Sequence, residues 1–363
     1  MSITGSILRS RAVAALTSPH GVDRFLEQVN PMWAAHEVRA RVVEVRRETD
    51  GEHPVATIVL QPTSTWRGHR AGQYVQVGVD LPGGRRTTRC FSVSSPASAP
   101  GERISLTVRS HAEGVVSRFL VEQARPGLMV HLGQAEGDFV MHESPATPTN
   151  NHLLFITGGS GITPAMSMVR TLLRDGYDGR AHRKVTFLHY ARSAEDQIFA
   201  AELAEIAAGD NHVDVHLVHE TDGGRFSEAA LRELVPAFQD TDTWACGPAG
   251  MIELVQAAYA GSPRLRVEYF KPPMTASGTA EGEVSFARSG QQAANTGASL
   301  LEQAEALGLR PEFGCRMGIC FSCTSRKTEG TVRNVVTGAE SSLPDEDIQI
   351  CVSAPVGDCV VDL

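Results

Sequence analysis

Between Gly314 and Cys323 the chain reads GCRMGICFSC, which puts three of its seven cysteines within nine residues. Cys315, Cys320 and Cys323 are spaced C-x4-C-x2-C, and Cys351 follows after a longer gap. The run AVAAL behind Arg9 and Arg11 is shorter than the roughly 7 to 15 apolar residues of a signal-peptide core, so secretion is not expected. A disulfide framework belongs to oxidising compartments and is set aside with it. Structural zinc usually takes paired C-x2-C knuckles, whereas here one spacing is x4 and the fourth cysteine stands alone. The spacing suits a 2Fe-2S cluster, in which each tetrahedral iron takes two bridging sulfides and two thiolates. Gly314, Gly318 and Ser322 are small enough to let backbone amides approach the sulfurs and stabilise the reduced, more negative cluster.

The flanks fit that reading. EVSFARSG alternates like a strand, SLLEQAEALGL has helical apolar spacing with Gly308 near its end as a stop signal, and VSAPVGDCVVDL closes as another strand. Residues 283–363 thus resemble a plant-type ferredoxin domain, which implies an α+β (β-grasp) fold with Cys315, Cys320, Cys323 and Cys351 as the metal ligands. Cys359 reads as a buried strand residue. This stretch holds 11 acids and 6 basic residues, a net of −5, whereas residues 1–41 hold five arginines and three acids, a net of +2. The acidic tail domain suits docking to a basic partner or is a solvated face. A whole-chain charge of −9 speaks against nucleic acid. No apolar run approaches the roughly 18 residues of a membrane helix.

At 363 residues the chain exceeds one hydrophobic core, so two or three domains are expected. Residues 153–174, LLFITGGSGITPAMSMVRTLLR, read as an apolar strand, a glycine turn and an amphipathic helix opened by Pro164. The glycines allow close backbone approach, and the free amides with the helix dipole favour a diphosphate. KVTFLHYARS, DQIFAAELAEIAAG, VDVHLVHE, FSEAALRELV, TWACGP and MIELVQAAYA then alternate strand and helix, which predicts a parallel sheet with ligands at its carboxyl edge. From Arg39 to Val140, short alternating runs such as ARVVEVRRE, ATIVLQP, QYVQVGVD and RISLTVRS, broken by Gly and Pro clusters, predict an antiparallel barrel.

In that order the motifs resemble the ferredoxin–NADP reductase superfamily. The family's R-x-Y-S flavin motif matches Arg89, Phe91 and Ser92, with phenylalanine in place of tyrosine, and its G-x-x-S matches Gly114 and Ser117 around Val116. GGSGITP matches the nicotinamide diphosphate loop through Gly158, Gly159, Gly161, Ile162, Thr163 and Pro164. Cys246, Gly247 and Pro248 match the C-G-P segment beside the nicotinamide. The resemblance implies FAD, a nicotinamide dinucleotide and a 2Fe-2S cluster in relay, with Ser92, Cys246 and Glu268 nearest the reacting atoms. At the end of the second strand, Arg192 and Ser193 precede Glu195 and Asp196, which favours NADPH over NADH. The domains expected are an N-terminal helical extension (1–37), a FAD barrel (38–145), a nucleotide domain (146–270), a linker (271–282) and the ferredoxin domain (283–363).

In the extension, VDRFLEQV is amphipathic, NPMW breaks it, and Trp33 is expected to pack onto the flavin domain. The linker's Pro272-Pro273 and the loose residues after it suggest that the ferredoxin swings between flavin and partner. The layout resembles reductases serving oxygenases. A membrane fatty-acid desaturase or hydroxylase is favoured as acceptor over a soluble Rieske-type ring hydroxylase, with transient membrane-surface docking. A non-enzymatic redox sensor and a stand-alone flavin reductase are the competing readings. The expected protein is a cytoplasmic monomer with no nucleic-acid partner.

Overall fold

The computed structural model describes residues 13, 17, 20–81, 86–111, 114–141, 151–175, 184–270, 280–314, 316, 318 and 321–363. Two compact units divide the chain: Met1–Gly247 with Met251–Glu268, and Pro248–Gly250 with Tyr269–Leu363.

The first unit begins with α1 (Val22–Val29). Then come β1 (Val38–Thr49), β2 (Val55–Pro62), β3 (Tyr74–Asp80), β4 (Arg86–Ser92), β5 (Ile104–Arg109), α2 (Val115–Glu122) and β6 (Met129–Leu132). The strands pair antiparallel in the order β4-β3-β6-β1-β2-β5, and a bridge between Val93 and Leu106 joins the two edges into a barrel. Ile58, Leu60, Val75, Val77, Leu106 and Val108 fill its core with Trp66 and with Val116 and Leu120 of α2. Trp33 departs from expectation, since its side chain is largely exposed. Arg39 explains this by binding the backbone of the segment instead. Its buried guanidinium donates to the carbonyls of Trp33 (2.6 Å) and Pro31 (3.2 Å) and to Glu27 (3.1 Å). A buried cation needs such partners, and they leave the indole outside.

The nucleotide half comprises β7 (His152–Gly158), α3 (Ile162–Arg174), β8 (Lys184–Ala191), α4 (Ala200–Ala208), β9 (Val213–His219), α5 (Glu228–Leu234), β10 (Asp242–Cys246), α6 (Ala249–Tyr259) and β11 (Leu265–Glu268). All five strands are parallel, in the order β11-β10-β7-β8-β9. The near-continuous burial of β7 and β8 is what a parallel sheet covered on both faces requires. A 3-10 turn over Gly159–Gly161 starts α3 at Ile162, so Pro164 lies within the first turn. Four hydrogen bonds tie this half to the barrel. Ser167 Oγ donates to Ser95 O (2.6 Å), Arg170 Nη1 to Ser94 O (2.5 Å), Ala97 N to Thr171 Oγ1 (2.8 Å) and Trp244 Nε1 to Val140 O (3.1 Å). The strand that carries the flavin motif is thereby fixed to the helix that follows the glycine turn.

The second unit holds β12 (Glu283–Phe286), β13 (Gln291–Ala294), α7 (Leu300–Ala306), β14 (Thr324–Asn334), β15 (Glu340–Ser341), β16 (Glu346–Gln349) and β17 (Ser353–Val361). Its sheet runs β13-β12-β17-β14-β15, with β16 beside β14 and only the β12–β17 pair parallel. α7 is capped by Ser299, whose Oγ accepts from Glu302 N at 3.3 Å. Phe286, Leu300, Leu301, Ile350 and Val361 form a separate core that also takes in Cys359. Linker residues 271–279 lie outside the described residues. No described helix is long and apolar enough to cross a membrane.

Candidate functional site

The parallel register aligns a row of residues at the carboxyl edge. Glu268 pairs with Cys246, Cys246 with Thr157, and Thr157 with His189. Directly opposed residues share one face, so four polar side chains meet where the fold places a ligand. Thr157 Oγ1 lies 2.7 Å from His189 Nδ1. Burial first, and then the charge of Arg109, pushes His189 down to about 3, so its ring is neutral. Burial pushes the Glu268 carboxyl up to about 8, and burial with Glu268 beside it holds the Cys246 thiol well above the ordinary range. Both are protonated at neutral pH.

The glycine turn lies against this row. A Cβ on Gly161 would stand 2.2 Å from Cys246 O, and one on Gly247 would stand 3.1 Å from Gly158 N. Only glycine permits these loops to touch backbone to backbone. Gly159 has φ +53, and its Cβ position looks towards Arg109 Nη2, 4.0 Å away. Thr163 Oγ1 donates to Ser160 O (3.0 Å), leaving Ile162 and Pro164 buried in the first turn of α3.

Arg109 ends β5 of the barrel, and the sequence alone gives it no role. Burial lowers the affinity of its guanidinium for the proton, with Asp196 opposing and Arg192 reinforcing that shift. Among the described residues, seven buried side-chain polar atoms have no partner, and four of them belong to Arg109, His189, His219 and Glu268. The signal for Arg109 is a cation at a strand end five residues before Gly114, while His189 is a polar residue in the apolar run FLHYA. Arg192 is exposed, and Ser193 Oγ is engaged by Asp196 (3.2 Å).

In the barrel, β4 pairs with β3 along its length, setting Arg89 opposite Val77 and Phe91 opposite Val75. Arg89 and Phe91 therefore share one face, and Ser92, buried opposite Tyr74, takes the other. Arg89 Nη1 donates to Thr88 O at 2.7 Å. Gly114 begins α2 without a side-chain cap, which leaves the amides at the start of the helix turned to an anion. Its missing Cβ would lie 2.2 Å from Ser117 Oγ, so the G-x-x-S turn closes only on glycine. Val116 is fully buried beneath it.

In the second unit, Cys323 and Cys351 are both buried, and Ile350 N donates to Cys323 O (3.3 Å), which brings the two cysteines to one end of the β14–β16 pair. Arg316, Gly318 and Phe321 all have positive φ (58°, 74° and 56°), so the loop turns repeatedly. A Cβ on Gly318 would lie 2.7 Å from Val352 Cγ2, beside Cys351. Arg316 anchors the loop to α7 through Glu305 (2.5 Å). Cys315 and Cys320 lie outside the described residues. The thiol pair and the glycine-dependent turn fit a 2Fe-2S cluster.

Residues 155–257 match the oxidoreductase NAD-binding domain family, and residues 286–356 match the 2Fe-2S iron-sulfur cluster binding domain family. An NADPH oxidoreductase of Mycobacterium tuberculosis (strain ATCC 25618 / H37Rv) is 40% identical over 97% of this chain and 91% of its own. A glycine betaine monooxygenase reductase subunit of Pseudomonas aeruginosa (strain UCBPP-PA14) is 28% identical over 91% of this chain and 96% of its own. In fold the chain is similar to phthalate dioxygenase reductase, with a TM-score of 0.58 and 20% identity over 90% of this chain and 97% of that one. A near-full-length relative, a nucleotide sheet behind a closed barrel and a fused cysteine-loop domain converge. The chain belongs to the ferredoxin–NADP reductase family, as an NAD(P)H oxidoreductase using a flavin and a C-terminal 2Fe-2S ferredoxin domain.

Proposed function

We propose that this protein takes electrons from NADPH, in preference to NADH, and passes them through FAD and its 2Fe-2S cluster to an oxygenase-type acceptor in the cytoplasm. A membrane fatty-acid desaturase or hydroxylase is the favoured acceptor. The observation carrying the reading is the set of unpartnered polar groups of Arg109, His189, His219 and Glu268 around the glycine turn. A buried polar group without a partner costs about 1–3 kcal/mol, and a dinucleotide offers the diphosphate and ribose oxygens that such a set can meet.

When bound, the nicotinamide supplies two electrons as a hydride, the flavin divides them and the cluster carries them singly. The chain's own residues bind, orient and shield. Gly158, Gly159, Gly161, Ile162, Thr163 and Pro164 offer backbone amides to the diphosphate, with Arg109 opposite. Arg192 and Ser193 face the 2′-phosphate. Cys246, Gly247 and Pro248 line the nicotinamide, where the protonated Cys246 thiol and Glu268 carboxyl present neutral groups and keep water out. Arg89 holds a FAD phosphate, Phe91 gives a stacking face, Ser92 its hydroxyl, and Gly114, Val116 and Ser117 the turn at the FAD diphosphate. Cys315, Cys320, Cys323 and Cys351 hold the iron.

The test is anaerobic stopped-flow absorbance of the holoprotein mixed separately with NADPH and NADH, followed by cytochrome c as a one-electron acceptor. Flavin bleaching, then cluster bleaching, faster with NADPH, is the expected course. A cluster that stays oxidised overturns the relay, and equal or faster NADH overturns the role of Arg192. The latter result favours the second reading, a soluble Rieske-type ring hydroxylase as acceptor, which the name of the Pseudomonas relative supports.

A further inference from the structure

α1 turns an apolar ridge to solvent. Phe25 (46% exposed) and Val29 (72%) lie one helical turn apart on one face, and Trp33 (52%) follows four residues on. Of nine exposed large hydrophobic residues among those described, these three fall within nine residues of sequence. That clustering differs from the single scattered apolar residues of an ordinary surface. The helix's acids are engaged from below. Asp23 accepts from the amides of Ala35, His36 (2.9 Å) and Glu37 (2.9 Å), and Glu27 pairs with Arg39. Burial raises the Asp23 carboxyl, but those three amides hold it below its ordinary value, so it stays ionised and committed to the fold. Arg24 remains outside, its Nη1 3.2 Å from His20 Nδ1.

Charge is segregated in the same way. Residues 1–19 contain Arg9 and Arg11 and no acid, so residues 20–363 carry −11 of the net −9. A protein partner for the ridge would meet a mostly acidic molecule, whereas an anionic bilayer selects the one cationic end. An aromatic–aliphatic ridge with a cationic approach is the pattern of a helix lying in the headgroup layer, where tryptophan is favoured.

We propose that α1 and Trp33 form a peripheral docking surface for an anionic lipid bilayer, with Phe25, Val29 and Trp33 entering the headgroup layer and Arg24 at its edge. One short helix buries little area, so the attachment is reversible. The proposal does not depend on which acceptor the protein serves, because vesicle binding is read without one.

Trp33 is its own reporter, since Trp66 and Trp244, the other two tryptophans, are 1% and 2% exposed. Holoprotein is mixed with vesicles of phosphatidylcholine alone, or with added phosphatidylglycerol, and followed by flotation, tryptophan emission and acrylamide quenching. With phosphatidylglycerol the protein floats, emission moves to the blue and quenching falls, and high salt weakens all three. The double variant Phe25→Gln, Val29→Gln loses about tenfold or more in vesicle affinity, as expected for apolar side chains no longer buried, while NADPH-driven cytochrome c reduction is unchanged. An active holoprotein that stays in the aqueous phase overturns the proposal, as does equal flotation of the double variant. A dimer that the double variant dissolves, without vesicle binding, also overturns it by making the ridge a contact between copies. Loss of cytochrome c reduction in the unmodified protein overturns the electron relay and leaves the vesicle result to stand by itself.

Discussion

Glu268 shows how one side chain ties the site to the stability of the fold. Its carboxyl is raised from 4.5 to about 8, so between those values the native state holds a proton that the unfolded chain releases. Stability is therefore full below about 4.5 and declines as pH rises through about 8, by at most about 1.4 kcal/mol per pH unit. Glu268→Gln keeps the shape without the titration, and its melting temperature measured across that range is expected to vary less than that of the unmodified protein. Two parallel curves would mean that the carboxyl is already ionised at neutral pH. Arg192 is a separate case, because it is exposed and its effect is read only through the nucleotide. A charge-assisted contact to phosphate is worth about 1.5–3 kcal/mol, so Arg192→Ala is expected to raise the KM for NADPH about tenfold or more and leave that for NADH unchanged. An equal rise for both nucleotides would place Arg192 at the diphosphate instead. Neither residue's setting follows from its neighbours in sequence. Glu268 titrates as it does because β11 pairs with β10, and Arg109 meets the glycine turn because the barrel packs on the sheet.

Elements were legible to the extent that their signal is local. The alternation in ARVVEVRRE, ATIVLQP, QYVQVGVD and RISLTVRS marks β1, β2, β3 and β5, and the β–α alternation after Gly158 marks the parallel sheet. β4 is harder to see, since RTTRCFS has little apolar periodicity, yet it pairs with β3 from Arg86 to Ser92. Only its motif pointed to it. α4 starts at Ala200 rather than at the Asp196 that opens the apolar run, because Phe199 takes φ 59 and stops the helix from extending backwards. The turn between β7 and α3 was readable as a ligand loop from its glycines, but the reason for Gly161 was not, as it lies in a contact with β10 some 85 residues on. Because the opposing atom is the backbone oxygen of Cys246, a methyl group there cannot be absorbed by a side-chain rotation. Gly161→Ala is expected to cost about 1–3 kcal/mol and to slow flavin bleaching by NADPH markedly, with barrel residues and flavin content unaffected. Unchanged bleaching by the variant would detach the turn from nucleotide binding.

At the scale of the whole molecule, the contacts predict two folding units that answer to different ligands. The barrel and the nucleotide sheet share Ser94, Ser95, Ala97 and Val140 as hydrogen-bond partners of α3 and β10, so they should unfold together. The ferredoxin domain has its own core, in which Cys323 and Cys351 pack with Ile350, Val352 and Val361. Metal bound through core residues contributes its binding energy to the folding of that unit alone. Calorimetry of the holoprotein is thus expected to resolve two transitions. Saturating NADP+ should raise only the first, by linkage worth about 2.7 kcal/mol at a hundredfold excess over Kd. Cys323→Ser should lower only the second, abolish the visible absorbance of the cluster and end cytochrome c reduction, while NADPH still bleaches the flavin. A single transition, or a serine variant that shifts both, would show that the units stabilise one another and that loss of the cluster reaches the flavin as well.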